Sequence, residues 1–291
     1  MEDAFRGGIR NAALRHVCVR TPSVMPARVD HDAVAPAFGG APSDAIIEID
    51  GVTKRFPGRP GPAVTVLDPI VLRIADNAFV SIVGRSGCGK TTLLNILAGL
   101  ETPSDGEVRI AGIPVRGPGQ GQGVVFQQHA LFPWLTAAGN VAFGCRDPAL
   151  SKADRAERAA ELLRLVGLED AAAKYPREMS GGMQQRVAIA RALALDPRIL
   201  LMDEPFGALD ELTRIEMQHE LLRIWSARRK TVVFVTHSIS EALILSDRII
   251  VLAANPGRVI LDLDVDLPRP RGRADPALLA HYERIWAEIS A

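Results

Sequence analysis

The sequence has no excess of charge, few cysteines and no long apolar run. Its 291 residues carry 34 basic and 34 acidic side chains, so we expect no general attraction to nucleic acid or anionic lipid. Three widely spaced cysteines without a Cys-x-x-Cys pair favour neither a disulfide framework nor a zinc site, and a reducing cytosol is the simplest compartment. The apolar runs have strand length, well short of the roughly 18 to 20 residues that a bilayer crossing needs. Because 47% of the residues are hydrophobic, the chain is predicted to build a sizeable core.

Composition divides the chain into an extension and a folded part. Residues 1–44 mix Ala, Gly, Pro and Arg without a period, and we interpret them as a flexible extension, with a misassigned start codon as the alternative. From residue 45 onward, short β-branched apolar runs alternate with helical stretches, which predicts a mostly parallel α/β sheet covered on both faces. The segment of about 129–180 lacks strand signals and is predicted as an inserted helical lobe. The folded domain then spans 45–265, and residues 266–291 form a tail with a short helix around 278–289.

A glycine-rich loop follows the strand predicted at 79–83 and precedes a helix predicted at 92–98. Residues 84–91 match the pattern of Gly, four residues and Gly-Lys-Thr, and their glycines predict a backbone whose N–H groups curl around phosphate oxygens. Lys90 is expected to reach the β- and γ-phosphates, and Thr91 to offer its hydroxyl to Mg²⁺. A glycine-rich turn without chemistry is the alternative. The predicted ATP-binding set in this loop is Gly84, Arg85, Ser86, Gly87, Cys88, Gly89, Lys90, Thr91 and Thr92.

Two further apolar strands each end in polar residues. Asp203 and Glu204 follow the strand at 199–202, and His237 follows the strand at 231–235. Ligands of open α/β sheets lie beyond the carboxyl ends of the strands, so these side chains are expected in the same crevice as the phosphate loop. Asp203 is the predicted Mg²⁺ partner and Glu204 the group that orients or deprotonates the attacking water. A strand-end turn, and for His237 a structural role, are the alternatives.

A second site for an anion is predicted at Ser180. This residue can cap the helical run that follows, and Gly181 and Gly182 leave the first N–H groups of the helix open. The chain then has two anion-binding helix starts and one acid pair. Either it binds two ligands, or two copies of the chain share each ligand across a two-fold dimer.

In these motifs the sequence resembles the ATP-binding subunits of ABC transporters over residues 45–262. The resemblance rests on the phosphate loop, Gln127 in Val-Val-Phe-Gln, the segment Ser-Gly-Gly-Met-Gln-Gln-Arg at 180–186, Asp203-Glu204 and the loop 207–210, together with Thr-His at 236–237. It implies an α/β P-loop NTPase (RecA-like) core with a mostly parallel sheet, an antiparallel β edge and an inserted helical subdomain.

The resemblance also implies roles for single residues. ATP is sandwiched between two copies, with Ser180, Gly181, Gly182 and Met183 of one copy reaching the nucleotide of the other. Phe56 stacks on adenine, and Asp210 lies near the dimer seam. Gln127 belongs to the catalytic and Mg²⁺-binding groups, with Glu204, His237, Thr91 and Asp203. If the resemblance is set aside, Phe56 is interpreted equally well as a core aromatic. Gln127 and Asp210 are then interpreted as ordinary polar loop residues.

The segments 124–136 and 236–243 resemble the branch of nitrate, sulfonate and taurine importers. The expected function is ATP hydrolysis that drives uptake of a small anionic solute through a separate integral membrane permease, supplied indirectly by a solute-binding protein. The subunit is expected as a dimer on the cytoplasmic face of the inner membrane, without nucleic acid. A soluble ABC ATPase acting on nucleic acid or ribosomes is the competing interpretation. A P-loop small-molecule kinase leaves the Ser-Gly-Gly helix start unexplained.

Two residues outside these motifs carry hypotheses of their own. Trp134 belongs to a run of large apolar residues at 129–134, which is expected to receive a helix of the permease, with packing inside the lobe as the alternative. Cys88 lies in the phosphate loop near a helix start, where a thiol can have a lowered pKa. A small tolerated residue without chemical function is the interpretation we favour for it.

Overall fold

The structure, a computed structural model, describes residues 45–58, 61–119, 121–128, 130–145, 150–272 and 275–290. The extension predicted at 1–44 lies outside the described residues, as does His129 at the start of the predicted lobe. In the described part, no helix is both long and apolar enough to span a membrane.

Ten strands are present in the described residues. They are β1 (Ala45–Gly58), β2 (Gly61–Ala75), β3 (Phe79–Gly84), β4 (Asp105–Ile110), β5 (Ile113–Pro114), β6 (Gln122–Val125), β7 (Ile199–Asp203), β8 (Thr231–Thr236), β9 (Arg248–Ala253) and β10 (Arg258–Asp264). The strands predicted at 79–83, 199–202 and 231–235 are confirmed as β3, β7 and β8. Strands β4, β5 and β6 were not predicted.

The strands form two sheets. A six-stranded sheet has the order β10-β9-β3-β8-β7-β6, in which neighbours are parallel except for β10 against β9. A four-stranded antiparallel sheet has the order β2-β1-β4-β5. Every residue of β3, β7 and β8 is buried, which explains their continuous apolar sequences. The mostly parallel core with an antiparallel β edge is therefore confirmed.

Seven α-helices are present in the described residues. They are α1 (Lys90–Leu97), α2 (Ala137–Gly144), α3 (Lys152–Leu165), α4 (Gly181–Ala194), α5 (Glu211–Ala227), α6 (Ile239–Leu245) and α7 (Pro276–Ser290), with short 3₁₀ turns at Glu169–Ala171 and Pro176–Glu178. One side of α3 and the residue after it face the core, because Leu162, Leu163 and Val166 are buried. Ser151 caps α3 and forms a capping box with Asp154.

A buried arginine fixes the residues that directly follow β10 to the core. Arg271 is 6% exposed and donates to four backbone carbonyls, those of Leu243, Ser246, Val265 and Leu267. Burial lowers the pKa of its guanidinium to about 10. The predicted terminal helix is present as α7, and it packs against α6, β9 and β10.

Candidate functional site

The phosphate loop connects β3, the third strand of the six-stranded sheet, to α1. Helix α1 begins at Lys90, two residues before the predicted start, because Gly89 takes a left-handed conformation with φ of 92° and ends the loop there. A side chain at Gly84 would meet the carbonyl oxygen of Leu252 at 2.5 Å. The glycines were predicted to leave room for phosphate. At Gly84 and Gly89 the structure shows a second reason why glycine is required. A side chain at either position would collide with the protein behind the loop, and at Gly89 it would collide with Leu67 of β2.

Lys90 lies at the centre of the loop with a buried side chain. Its Nζ donates to the carbonyl oxygens of Gly84 at 2.9 Å and Arg85 at 3.2 Å. These bonds hold the ammonium inside the curled backbone, where the sequence predicts it. Arg85 and Ser86 are exposed and Thr92 is half-buried on α1.

The two acids at the end of β7 meet the phosphate loop. Thr91 Oγ1 donates to Asp203 Oδ1 at 3.1 Å, and Lys90 Nζ lies 4.0 Å from Glu204 Oε1. Burial raises the pKa of the Asp203 carboxyl, while the Thr91 hydroxyl acts in the opposite direction. Glu204 has a φ of 41°, an uncommon conformation for a residue with a side chain. The strand end thus turns its second carboxylate toward Lys90.

His237 is joined to the same carboxylate. Its Nδ1 lies 3.1 Å from Glu204 Oε2, and its side chain is 63% exposed. The backbone N–H of Glu204 donates to the Val235 carbonyl at 2.9 Å, which ties the end of β7 to the end of β8. The predicted meeting of these two strand ends is therefore present, with Lys90, Thr91, Asp203, Glu204 and His237 in one cluster.

Two of the remaining residues lie on loops beside the cluster. Gln127 is exposed after β6, and its Nε2 comes within 3.7 Å of the position that a Cβ would occupy at Gly207. Asp210 caps α5, accepting from the Thr213 N–H at 3.1 Å and the Thr213 hydroxyl at 2.7 Å. The Thr213 hydroxyl bond keeps the pKa of Asp210 below its ordinary value. Asp210 therefore has a local structural function besides its predicted place at a dimer seam.

The Ser-Gly-Gly segment forms the start of α4. Ser180 caps the helix by accepting from the Met183 N–H at 3.3 Å, as predicted. Helix α4 starts at Gly181 and contacts α2, α3, α5 and β6. Ser180 and Gly181 are exposed, whereas Gly182 is buried, and a side chain there would meet Thr213 Cγ2 at 2.8 Å. Gly182 is therefore needed for close contact with the start of α5.

Phe56 lies on β1, outside the cluster. The residue is 36% exposed, and Lys54 Nζ lies 4.8 Å above the centroid of its ring. The same ammonium pairs with Glu101 at 2.6 Å, which keeps the pKa of that carboxyl below its ordinary value. The partial exposure of Phe56 agrees better with a stacking surface than with a core aromatic.

Comparison with known proteins decides the family. The sequence profile described as ABC transporter matches residues 67–207. A putative ATP-binding protein of Brucella abortus (strain 2308) is 53% identical over 221 residues, which cover 75% of this chain and 85% of that protein. The chain belongs to the ABC transporter ATP-binding proteins.

Other relatives bear out the branch and the fold of this ABC ATPase. The taurine import ATP-binding protein TauB of Mesorhizobium japonicum is 53% identical over 207 residues, covering 71% of this chain and 80% of that protein. A dimeric ATP-binding cassette, solved in a post-hydrolysis state bound to ADP and Pi, is 37% identical with a TM-score of 0.66, covering 78% of this chain and 99% of that one. The resemblance to the nitrate, sulfonate and taurine branch is confirmed, as are the P-loop NTPase fold, ATP as ligand and ATP hydrolysis as activity.

Burial argues against a reactive thiol in the phosphate loop of this ABC ATPase. Cys88 is 1% exposed, and burial raises the pKa of its thiol above the ordinary value despite the nearby Lys90. The thiol packs in the core cluster beneath the loop. This environment agrees with the favoured interpretation of Cys88 as a small tolerated residue.

Sequence reasoning missed a buried polar group next to the cluster. Glu241 on α6 is 6% exposed and accepts from the Thr236 hydroxyl at 2.6 Å. Arg214 on α5 approaches its other oxygen, with Nε 3.6 Å from Oε1. A glutamate four residues after His237, in a helix that is otherwise mostly apolar, was the signal available in the sequence. Arg214 gave no signal, since its partner is far away along the chain.

Proposed function

We propose that this ABC ATPase energises an importer of a small anionic solute of the nitrate, sulfonate or taurine type. The substrate class is supported by the identity to a taurine import ATP-binding protein. ATP hydrolysis drives a separate integral membrane permease, and a solute-binding protein delivers the solute to that permease. The ATPase works as a peripheral subunit on the cytoplasmic face of the inner membrane. The observation that carries the chemical part is the contact of Glu204 with His237 beside Lys90 and the Thr91–Asp203 pair.

In this proposal Glu204 is the general base. Its carboxylate accepts a proton from water as the water oxygen forms a bond to the γ-phosphorus and the bond to the bridging oxygen of ADP breaks. His237, at 3.1 Å, holds the carboxylate in place and can also contact the γ-phosphate. Lys90 offers its ammonium to the β- and γ-phosphates, and the backbone of residues 84–89 cradles them. Phe56 supplies the surface for adenine.

Thr91, Asp203 and Gln127 are the groups that would hold Mg²⁺. Hydroxyl, carboxylate and amide oxygens suit this cation, and Asp203 is a buried carboxylate whose raised pKa reflects the cost of its charge. A divalent cation beside it would offset that cost, so the residues fit the ion. Bound there, Mg²⁺ supplies a charge that neutralises the phosphate oxygens.

A second copy of the chain completes each site in this proposal. Ser180 and Gly181 are exposed at the first turn of α4, where backbone N–H groups and the helix dipole favour an anion. Helix α4 packs mainly on α2, α3, α5 and β6, and the phosphate that it binds in this proposal is that of the partner copy. Gly182 and Met183 belong to the same turn, and Asp210 lies at the seam. Similarity to a dimeric cassette supports this arrangement.

The permease docks on an apolar loop of the helical lobe. Trp134 is 70% exposed, and its ring lies 5.4 Å from that of Phe132, which in turn contacts Phe143 at 4.5 Å. Buried Asn140 fixes this loop, accepting from the Phe132 N–H and donating to the carbonyls of Phe132, Leu135 and Thr136. A rigidly held, exposed tryptophan is typical of a residue that binds a partner. Packing inside the lobe, the alternative, does not account for this exposure.

Trp134→Ala should lower solute uptake by the assembled transporter at least tenfold while the isolated subunit keeps its ATPase rate within about twofold, because the lost contact lies outside the ATP cluster. Trp286→Ala is the matched control, since Trp286 is also exposed, at 56%, but on α7. Uptake is measured with radiolabelled taurine in vesicles, and assembly by co-purification with the permease. Uptake unchanged by Trp134→Ala would overturn the docking surface. Co-purification with ribosomal particles in place of a polytopic membrane protein would overturn the transport function.

A further inference from the structure

A line of polar contacts connects the loop after Glu204 to His237. Arg214 Nη2 donates to the Leu209 carbonyl at 2.8 Å, and Arg214 Nε lies 3.6 Å from Glu241 Oε1, an ion-pair distance. The other oxygen of Glu241 accepts from the Thr236 hydroxyl at 2.6 Å. That hydroxyl accepts in turn from the Ser238 N–H at 3.0 Å. Both chain neighbours of the histidine are thus held by the same hydroxyl.

The histidine itself has few other constraints. Its side chain is 63% exposed, and its ring makes one hydrogen bond in the described residues, the one to Glu204. The position of the ring therefore depends on where the backbone of Thr236 and Ser238 lies. Thr236 is 1% exposed and Glu241 is 6% exposed, so this part of the line is shielded from water. Hydrogen bonds in such surroundings hold their geometry more strictly than exposed ones.

A buried carboxylate is also a costly choice if its only purpose is stability. Burial raises the pKa of Glu241, and the Thr236 hydroxyl and Arg214 counteract this by favouring the charged form. An apolar residue would fill the same space between α6 and β8 without that cost. The polar line instead provides direction, because its hydrogen bonds form only over a narrow range of distances and angles, and the Arg214–Glu241 ion pair at 3.6 Å adds an attraction between opposite charges.

We propose that Arg214, Glu241 and Thr236 are positioning residues for hydrolysis, which hold His237 against Glu204 and make its position follow that of the loop at 207–210. The proposal depends on the proposed functions of Glu204 and His237. The loop is itself bonded to Glu204, since the Gly207 N–H donates to the Glu204 carbonyl at 3.0 Å. A displacement of the loop therefore acts on the base directly and on the histidine through Arg214.

Strand β8 offers a matched pair of threonines for the test. Thr236 ends the strand and Thr231 begins it, and both are buried. Thr231 Oγ1 donates to Asp76 Oδ1 at 3.1 Å and accepts from the Asn77 N–H at 2.9 Å. The two hydroxyls therefore each bond one carboxylate and one backbone N–H, at opposite ends of the same strand. Valine has nearly the same branched shape as threonine and carries a methyl group in place of the hydroxyl, so each substitution removes the hydrogen bonds of one threonine.

Thr236→Val should lower kcat about 10- to 100-fold, the range expected when a reacting group is misplaced by up to 1 Å, with the KM for ATP changed less than about threefold. Thr231→Val should leave kcat within about twofold. Thr236→Ser, which keeps the hydroxyl, should restore most of the lost rate. Glu241→Gln and Arg214→Lys, which keep size or charge, should each lower kcat with KM preserved. Steady-state ATPase assays on the full chain give these values, and melting temperatures report folding.

Equal losses of kcat in Thr236→Val and Thr231→Val would overturn the proposal. Such a result would show that any loss of a buried hydroxyl from β8 lowers kcat, whether or not the hydroxyl bonds Glu241. A Thr236→Val variant with a changed KM for ATP and an unchanged kcat would also overturn the proposal. Glu204→Gln separates this inference from the proposed function. If that variant still turns over ATP at a substantial rate, the base assignment fails whatever Thr236→Val does. If turnover is abolished and Thr236→Val matches Thr231→Val, only the positioning inference fails.

Discussion

Substitution of Gly257 offers a way to disturb the phosphate loop from behind without replacing a residue of the loop itself. Gly257 lies on the turn between β9 and β10, where a side chain would come within 2.9 Å of Leu67 Cδ2 and closer still to the Cys88 carbonyl oxygen. A carbon and an oxygen in ordinary contact are about 3.3 Å apart, so a methyl group at 257 would overlap the Cys88 carbonyl by about 1 Å. The Gly257→Ala variant therefore pushes on the loop through its backbone.

The overlap cannot be relieved by Gly257 alone. Its N–H donates to the Val66 carbonyl at 2.8 Å, and its carbonyl accepts from the Asp68 N–H at 2.9 Å, so the turn is fixed to β2. The Cys88 carbonyl must therefore move away from position 257 by part of the overlap. Overpacking of this kind costs about 1–3 kcal/mol of stability. A displacement of the phosphate cradle approaching 1 Å predicts a loss of about 10- to 100-fold in kcat/KM.

Gly117→Ala is the matched control, because a side chain at Gly117 meets nothing within 4 Å. ATP affinity is measured by titration with a fluorescent ATP analogue, kcat/KM by steady-state ATPase assay, and stability by thermal melting. We expect weaker ATP binding and lower kcat/KM for Gly257→Ala, and values near those of the natural chain for Gly117→Ala. Gly257→Ala with unchanged affinity and kcat/KM would refute the reasoning, since it would show that the turn can yield without moving the loop.

Two further predictions concern the acid pair. Glu204→Gln should bind ATP, lower turnover at least a hundredfold and accumulate as a dimer in size-exclusion chromatography with ATP, whereas a monomer under those conditions would contradict the shared site. Asp203→Asn should raise the melting temperature of the nucleotide-free protein at pH 8, because burial raises the pKa of Asp203 and its charge is costly there. Between the ordinary aspartate pKa and the raised folded value, the unfolded chain ionises first, so stability falls as pH rises through that window. The gain from Asp203→Asn should shrink toward pH 4, and a gain independent of pH would contradict this cause.

The chemical core of the site follows from local sequence. The buried strands β3, β7 and β8 and the polar residues at their ends were predictable because apolar runs of this length and the glycine pattern are properties of neighbouring residues. Parallel strands then bring their carboxyl ends together. This rule alone predicts that Asp203, Glu204 and His237 lie near Lys90.

The rest depends on contacts between segments distant in sequence. Strand β4 was missed because Asp105–Ile110 contains charged residues and a glycine, and its pairing with β1 stabilises it more than its own propensity does. Arg214 and Glu241 meet only through the packing of α5 against α6, which no local pattern encodes. The steric reason for glycine at position 84 was also not predictable, because the atom that a side chain there would meet is the Leu252 carbonyl oxygen of β9, far away along the chain.

The buried arginine beyond β10 imposes an order on folding. A nascent chain synthesised as far as Asp264 already contains all the described strands and both acids of the ATP cluster. Yet the carbonyls of Leu243 and Ser246, 28 and 25 residues before Arg271, still lack the guanidinium that they bond in the finished protein. An unpaired buried carbonyl is destabilising. The end of α6, four residues beyond Glu241, can therefore gain these two hydrogen bonds only after Arg271 has been synthesised.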